Sequence, residues 1–277
     1  MVEPGGSLRH SGVEVVRGRG LAGVELHLGT RVHDSFRPHF HNEAHITCVL
    51  SGGRTQSVGR KRYTLDPGDS VVVPSGEVHE SRSRGANGWS FVAIYCSPRS
   101  VRRAVESLAH EPDLREGELQ YRRSGDPQLG RRIRGLARSL AETPLAAEVA
   151  WIELIARLMR GDRPPPPLRR QRKTVRRVRA FLEDHVADAV TLDQLAELSG
   201  VSKEHLVRSF TAEVGLPPHA YLLNARIERA KPMLLAGESI IDVALRLGFH
   251  DQSHFSRHFR RIVGIPPGQF ARSRQRA

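Results

Sequence analysis

With 277 residues and a hydrophobic share of 39%, the chain has material for two domains with buried cores, and a charged share of 26% excludes wholesale disorder. The 43 Lys and Arg outnumber the 30 Asp and Glu, giving a formal charge of +13 and implying a polyanionic partner, nucleic acid or an anionic membrane surface. Cys48 and Cys96 are the only cysteines, no apolar run reaches membrane-spanning length, and residues 1–12 carry no apolar leader; a disulfide framework, a membrane span and a signal peptide are therefore not expected, and a cytoplasmic location is.

Residues 1–100 read as strands. Stretches 46–50, 70–73 and 91–96 are short and rich in β-branched or aromatic residues, and Ser51-Gly52-Gly53, Asp66-Pro67-Gly68 and Ser75-Gly76 interrupt them, the pattern of a β-barrel or sandwich. His39, His41, Glu43 and His45 alternate. On one strand residues two apart share a face, so all four can point the same way. Cys48, Trp89 and Tyr95 are most simply core or rim residues.

From about residue 101 the period changes. Leu129, Ile133, Leu136 and Leu140 recur at helical spacing, as do Val149, Ile152, Ile155 and Met159; these helices either cap the barrel or form a dimer seam. The segment 161–172 holds four consecutive prolines, which cannot continue a helix, and forms a linker. The chain thus divides into a barrel (1–100), a helical dimerisation or coupling segment (101–160), the linker (161–172) and a basic C-terminal domain (173–277). Residues 168–277 hold 19 Lys and Arg against 11 Asp and Glu, while the longer remainder holds 24 against 19, so the electrostatic footprint lies in the C-terminal part.

That part contains a repeat. Ala196, Gly200, Leu206 and Phe210 are echoed by Ala244, Gly248, Phe255 and Phe259, and Gly215-Leu-Pro-Pro by Gly264-Ile-Pro-Pro. Each copy has the makings of a helix-turn-helix. Leu192, Leu195 and Leu198 line a first helix, Ala196 permits a close crossing, Gly200 suits a left-handed helix end, and Ser202 caps a second helix anchored by Leu206 and Phe210. In the second copy Ile240, Val243 and Leu247 form the inner face, Gly248 the turn and Asp251 the cap. The second helices span 202–213 and 251–263. They present Glu204, Val207 and Arg208, and Gln252, Ser253, His254, Ser256 and Arg257. Gln and Arg can bond adenine and guanine edges bidentately in the major groove. A helix over 218–235, roughly 25 Å long at 1.5 Å per residue, joins the copies. Pro232 inside it puts their rigid spacing in question.

The stretches Leu192-Asp-Gln-Leu-Ala-Glu-Leu-Ser-Gly-Val-Ser, Arg226-Ile-Glu-Arg-Ala-Lys, Ser239-Ile-Ile-Asp-Val-Ala and Leu247-Gly-Phe-His-Asp-Gln-Ser-His-Phe-Ser-Arg-His-Phe-Arg-Arg resemble the AraC/XylS family of bacterial transcription regulators over about 100 residues. The resemblance implies base or phosphate contacts from the eight positions just named. Phe270-Ala-Arg272 stands where the family often has Tyr-Arg. Upstream, Gly68-Asp-Ser-Val-Val-Val-Pro-Ser-Gly-Glu-Val-His79 resembles the second cupin motif, whereas the first motif is looser because Glu43 follows His41 too closely. The implied fold is two-domain α+β: a cupin-like barrel with flanking helices, then an all-α domain with two helix-turn-helix units.

The expected function is a DNA-binding regulator, not an enzyme, that responds to a small-molecule effector at His39, His41, Glu43, His45 and His79. The expected partners are double-stranded promoter DNA, the effector, a second copy of the chain and, for an activator, RNA polymerase; no membrane is expected. No cofactor is expected, and a divalent metal on the same histidines is the alternative the cluster leaves open. A metal-dependent cupin enzyme fused to a DNA-binding domain, and a constitutive regulator whose barrel only dimerises, are the competing readings.

Overall fold

The computed structural model describes residues 12–17, 21–33, 35–59, 61–108, 119–140, 143–159 and 173–272. The expected linker 161–172 lies outside them. Ten strands come first: β1 (Gly12–Val16), β2 (Val24–Val32), β3 (Phe36–His39), β4 (Ala44–Ser51), β5 (Gly53–Val58), β6 (Lys61–Leu65), β7 (Ser70–Val73), β8 (His79–Arg84), β9 (Trp89–Cys96) and, after helix α1 (Pro98–Glu106), β10 (Arg122–Ser124). They form a six-stranded sheet ordered β1-β2-β9-β4-β7-β10 and a four-stranded sheet ordered β3-β8-β5-β6. All the pairings are antiparallel.

The larger sheet is buried on both faces, and strand alternation sorts its side chains. Ile46, Cys48, Val92, Ile94 and Cys96 pack outward beneath α1, α2 (Pro127–Ser139) and α3 (Pro144–Met159), against Ile133, Leu136, Trp151 and Leu154. Val49, Phe91 and Ala93 point inward with Trp89, Val71 and Val73. The helices therefore cap the barrel. Two expectations are corrected. The segment 101–160 is not purely helical: β10 pairs with β7, and Leu119 and Tyr121 join the cores, because an open β7 edge offers unpaired backbone groups. Of the expected α3 stripe, Ile155 and Met159 are buried and Ile152 is partly buried, but Val149 is 49% exposed, and the buried face extends instead over Ala147, Trp151, Leu154 and Leu158. Stripe and face both have helical spacing, and the Trp-bearing face buries more apolar area.

The C-terminal domain comprises α4 (Lys173–Asp184), α5 (Leu192–Ser199), α6 (Lys203–Val214), α7 (Pro218–Leu235), α8 (Ile240–Arg246), α9 (Gln252–Val263) and α10 (Pro267–Arg272). Its core gathers the repeat's anchors: Leu206, Phe210, Val243, Ala244, Phe255 and Phe259 are fully buried. Gly200 ends α5 at φ 69°, and Ser202 and Asp251 cap α6 and α9 as expected. Leu192, expected on the inner face of α5, is 37% exposed. α7 runs unbroken through Pro232, which sits in its last turn; Ala236 N–H still donates to the Pro232 carbonyl at 2.9 Å. The doubt about rigid spacing is thereby removed: the proline deletes a single donor one turn from a terminus that ends anyway.

Candidate DNA interface and effector pocket

The two reading helices are held from behind and open in front. Leu206 and Phe210 sink α6 into the core, and Phe255 and Phe259 sink α9. On the outer faces Glu204, Arg208, Gln252, Ser253 and Arg257 are exposed, and Val207, His254 and Ser256 are half-buried. His254 turns toward the helix-turn-helix bend: its ring meets Phe249 edge-on at 5.4 Å and His258 at 4.8 Å, so of the eight it is the least available to a base. Sequence reading passed over His205, whose Nδ1 lies 3.4 Å from Arg208 Nη2, and Lys203, which occupies in α6 the place of Gln252 in α9 and pairs with Asp193.

Arg226 on α7 fixes the frame between the units. Its Nε donates to the Val186 carbonyl (2.9 Å), Nη1 to the Gly248 carbonyl (2.7 Å) and Nη2 to the Asp188 carbonyl (2.8 Å). One side chain thus ties the end of the α4 region to the turn of the second unit. Gly248 lies at φ 73°, where a Cβ would sit 2.7 Å from the Ala187 carbonyl oxygen and 2.9 Å from Arg226 Nη2.

The barrel interior is polar at its mouth. His39, His41 and His79 are buried with ligand-bearing nitrogens all within 4.8 Å of one another. In each, Nδ1 faces a backbone carbonyl: Arg37 at 2.7 Å, Glu43 at 3.3 Å and Glu77 at 2.9 Å. Donation from Nδ1 leaves the Nε2 lone pairs free. His45 joins them, 4.8 Å from His79 and 5.1 Å from His41 ring to ring. Burial lowers the pKa of His39 to about 4, and burial with the neighbouring histidines holds His41, His45 and His79 well below their usual range, so the cluster is neutral at pH 7.

Glu43 is the exception. The chain leaves β3 at His39 and enters β4 at Ala44, so residues 39–45 are not one strand, and the Glu43 carboxylate turns instead to Lys231 of α7 at 3.2 Å. The set that fits a divalent metal is therefore His39, His41 and His79, with the Glu43 carboxylate turned away; bound there, an ion would act as a Lewis acid toward a coordinated oxygen.

Sequence reading also missed Arg54, Gln56 and Tyr95, all inside the barrel. Tyr95 packs 5.0 Å from His41 and 5.5 Å from His45, and is more than a rim residue. Arg54 is 4% exposed. Its guanidinium lies 4.6 Å over the Trp89 ring, and Nη1 donates to Ser81 Oγ at 3.4 Å, but Nε and Nη2 have no partner among the described residues. Burial lowers its pKa to about 10, with Tyr95 and Tyr121 opposing, which leaves it charged at neutral pH. A cation–π contact contributes about 0.5–2 kcal/mol, less than the several kcal/mol needed to strip an ion of water. The only plain signal in the sequence was a charged residue two positions from Gln56 and four from Val58 on one strand face.

The barrel mouth is closed by α7. Phe40 stacks on Tyr221 at 4.7 Å, Asn224 Nδ2 donates to the Phe40 carbonyl at 2.6 Å, and Asn42 N–H donates to Glu228 Oε2 at 2.9 Å. Lys231 lies 2.6 Å from Glu228. Against the desolvation that would lower it, Glu228 and Glu43 hold the Lys231 ammonium above its usual range, and burial pushes the Glu228 carboxyl up to about 6. A cleft of about 370 Å³, counting the solvent at its mouth, opens between His27, His41 and Tyr95 on the barrel and Lys231, Val263 and Phe270 on the helices. Val78 abuts Gly215 beyond α6, and Phe36 abuts Gly264 beyond α9. The barrel thus touches the C-terminal ends of both reading helices and leaves their outer faces clear.

Residues 21–155 match the family model of the AraC-like ligand binding domain, and residues 195–273 that of a helix-turn-helix domain. The chain is 29% identical over 244 residues to the uncharacterized HTH-type transcriptional regulator YbfI of Bacillus subtilis (strain 168), covering 83% of this chain and 85% of that one. It is 40% identical over 96 residues to the HTH-type transcriptional activator RhaS of Escherichia coli (strain SE11), a match spanning 34% of each. Apo ToxT from Vibrio cholerae superposes with a TM-score of 0.56 at 12% identity over 90% of this chain and 97% of its own, a likeness of fold. ToxT bound to an unsaturated fatty acid gives 0.53 at 12% identity, over 96% and 98%. Two matched domains in this order, on this two-domain fold, place the chain in the AraC family of DNA-binding transcription regulators with an N-terminal ligand-binding domain.

Proposed function

We propose that α6 and α9 read promoter DNA in successive major grooves, with Arg208 and Arg257 as the principal base contacts, and that the barrel interior around His39, His41, His45 and His79 holds the small-molecule effector. The observation that carries the reading is the pair of exposed arginines at equivalent places on two capped helices, joined by an unbroken 18-residue helix. That helix is about 27 Å long at 1.5 Å per residue, comparable to one turn of DNA. The chain acts as a regulator without catalytic turnover, in the cytoplasm. No helix among the described residues is long and apolar enough to cross a membrane. Homodimerisation uses the exposed Leu145 and Val149 of α3, and RNA polymerase is a partner if the outcome is activation. That ToxT holds a fatty acid on the same fold supports effector binding by this one.

Arg257→Ala is expected to weaken binding to the cognate site by about 1–3 kcal/mol and to relax the preference at one base pair, measured by gel shift on single-base variants. An equal loss on every sequence makes Arg257 a phosphate contact and removes it from the reading set.

A further inference from the structure

We infer that the barrel's effector is a small monocarboxylate, clasped on the Nε and Nη2 edge of Arg54. This rests on the reading of the barrel as the effector pocket. Arg54 is a buried cation whose charge acts on His39, His45 and His79. No carboxylate answers it among the described residues. The acids nearest the chamber are engaged: Glu25 with Arg17 at 2.8 Å, Glu43 and Glu228 with Lys231.

The two unpartnered guanidinium nitrogens are adjacent on one edge, the geometry that receives both oxygens of a planar carboxylate. Gln56 follows on the same face of β5, wholly buried, with both its amide nitrogen and its amide oxygen unpartnered, and the Trp89 Nε1 donor beneath the guanidinium is unpartnered too. Buried polar groups are ordinarily satisfied, so several orphans together mark atoms that a ligand supplies. The local pairing selects the class: no acid lies against Arg54 among the described residues, and its two-donor edge matches the two oxygens of one carboxylate.

The histidines then serve the other end of the molecule. The Nε2 of His41 and the Nδ1 of His45 are buried and unpartnered, and suit a hydroxyl or oxo group. The intervening residues carry the signal outward: Phe40 and Asn42, interleaved with His39 and His41, are the ones that grip Tyr221, Asn224 and Glu228 of α7.

The test uses the full chain and Arg54→Met, which keeps volume and removes charge. Without ligand, Arg54→Met should melt at or above the wild-type temperature, since it relieves an unanswered charge; a markedly lower melting temperature makes Arg54 a structural residue and overturns the proposal. Acetate, lactate and benzoate are then compared with their amides at equal ionic strength. At least one acid should raise the wild-type melting temperature and change Trp89 fluorescence in a Trp151→Phe background. Its amide should not, and Arg54→Met should bind it at least tenfold more weakly. Equal shifts with chloride or phosphate, or no acid response in a folded protein, overturn the carboxylate assignment. DNA affinity measured in the same samples separates the two readings: an Arg54-dependent acid response that leaves DNA binding unmoved keeps the site and removes its role as sensor.

Discussion

Arg226→Met should destabilise the C-terminal domain by about 2–4 kcal/mol and abolish tight operator binding. Its guanidinium donates to three carbonyls on two separate segments, and a charged hydrogen bond is worth about 1.5–3 kcal/mol where its acceptor stays dry. The Val186 residue is buried, whereas Asp188 and Gly248 border solvent, so water replaces part of the loss. Lys at this position should not rescue, because a single ammonium cannot span three divergent acceptors. Gly248→Ala attacks the same joint from the other side. Its Cβ would press on Arg226 Nη2 and the Ala187 carbonyl, in a left-handed conformation that side chains resist. The two losses should therefore be less than additive in the double variant, as urea unfolding would reveal. Full additivity would mean that the residues act independently and that Arg226 is not the tie.

Lys231→Met should cost about 3–5 kcal/mol of stability at pH 7, because it strands Glu228 and Glu43 together at the domain seam. Adding Glu228→Leu should recover much of that loss, since an apolar pair of similar volume leaves one carboxylate, at the more open position. The pH dependence has a definite sign. The folded-state pKa of Glu228 is already raised to about 6 and rises further without Lys231. A carboxyl with a raised folded pKa costs stability above that pKa and nothing below its unfolded value of 4.5. The deficit of Lys231→Met should thus be greatest at neutral pH and shrink as pH falls toward 4.5, read by thermal melts across that window. A deficit independent of pH would show that the loss is one of packing alone.

What the sequence made legible is local. Gly200, Ser202, Asp251 and the paired Phe anchors state their roles through spacing and cap chemistry, and all hold in three dimensions. The site in the barrel was legible only in part. His39, His41, His45 and His79 do converge, but Glu43 leaves them for a lysine 188 residues away, a contact no period encodes. Strand alternation shows that Arg54, Gln56 and Val58 share a face without saying which face is inside, and a polar strand reads by default as solvated. On α3 the expected stripe and the buried face share Ile155 and Met159, and the position of the sheet decides that Trp151 rather than Val149 is covered.

The central claim is that both helix-turn-helix units engage DNA at once on one rigid helix. Selection of bound sites from a random duplex library by the full chain, followed by footprinting, tests it directly. The expected result is an enriched site with two short determinants about one helical turn apart, protected on one face and lost steeply as salt rises. A single determinant, or protection of one major groove only, would contradict it.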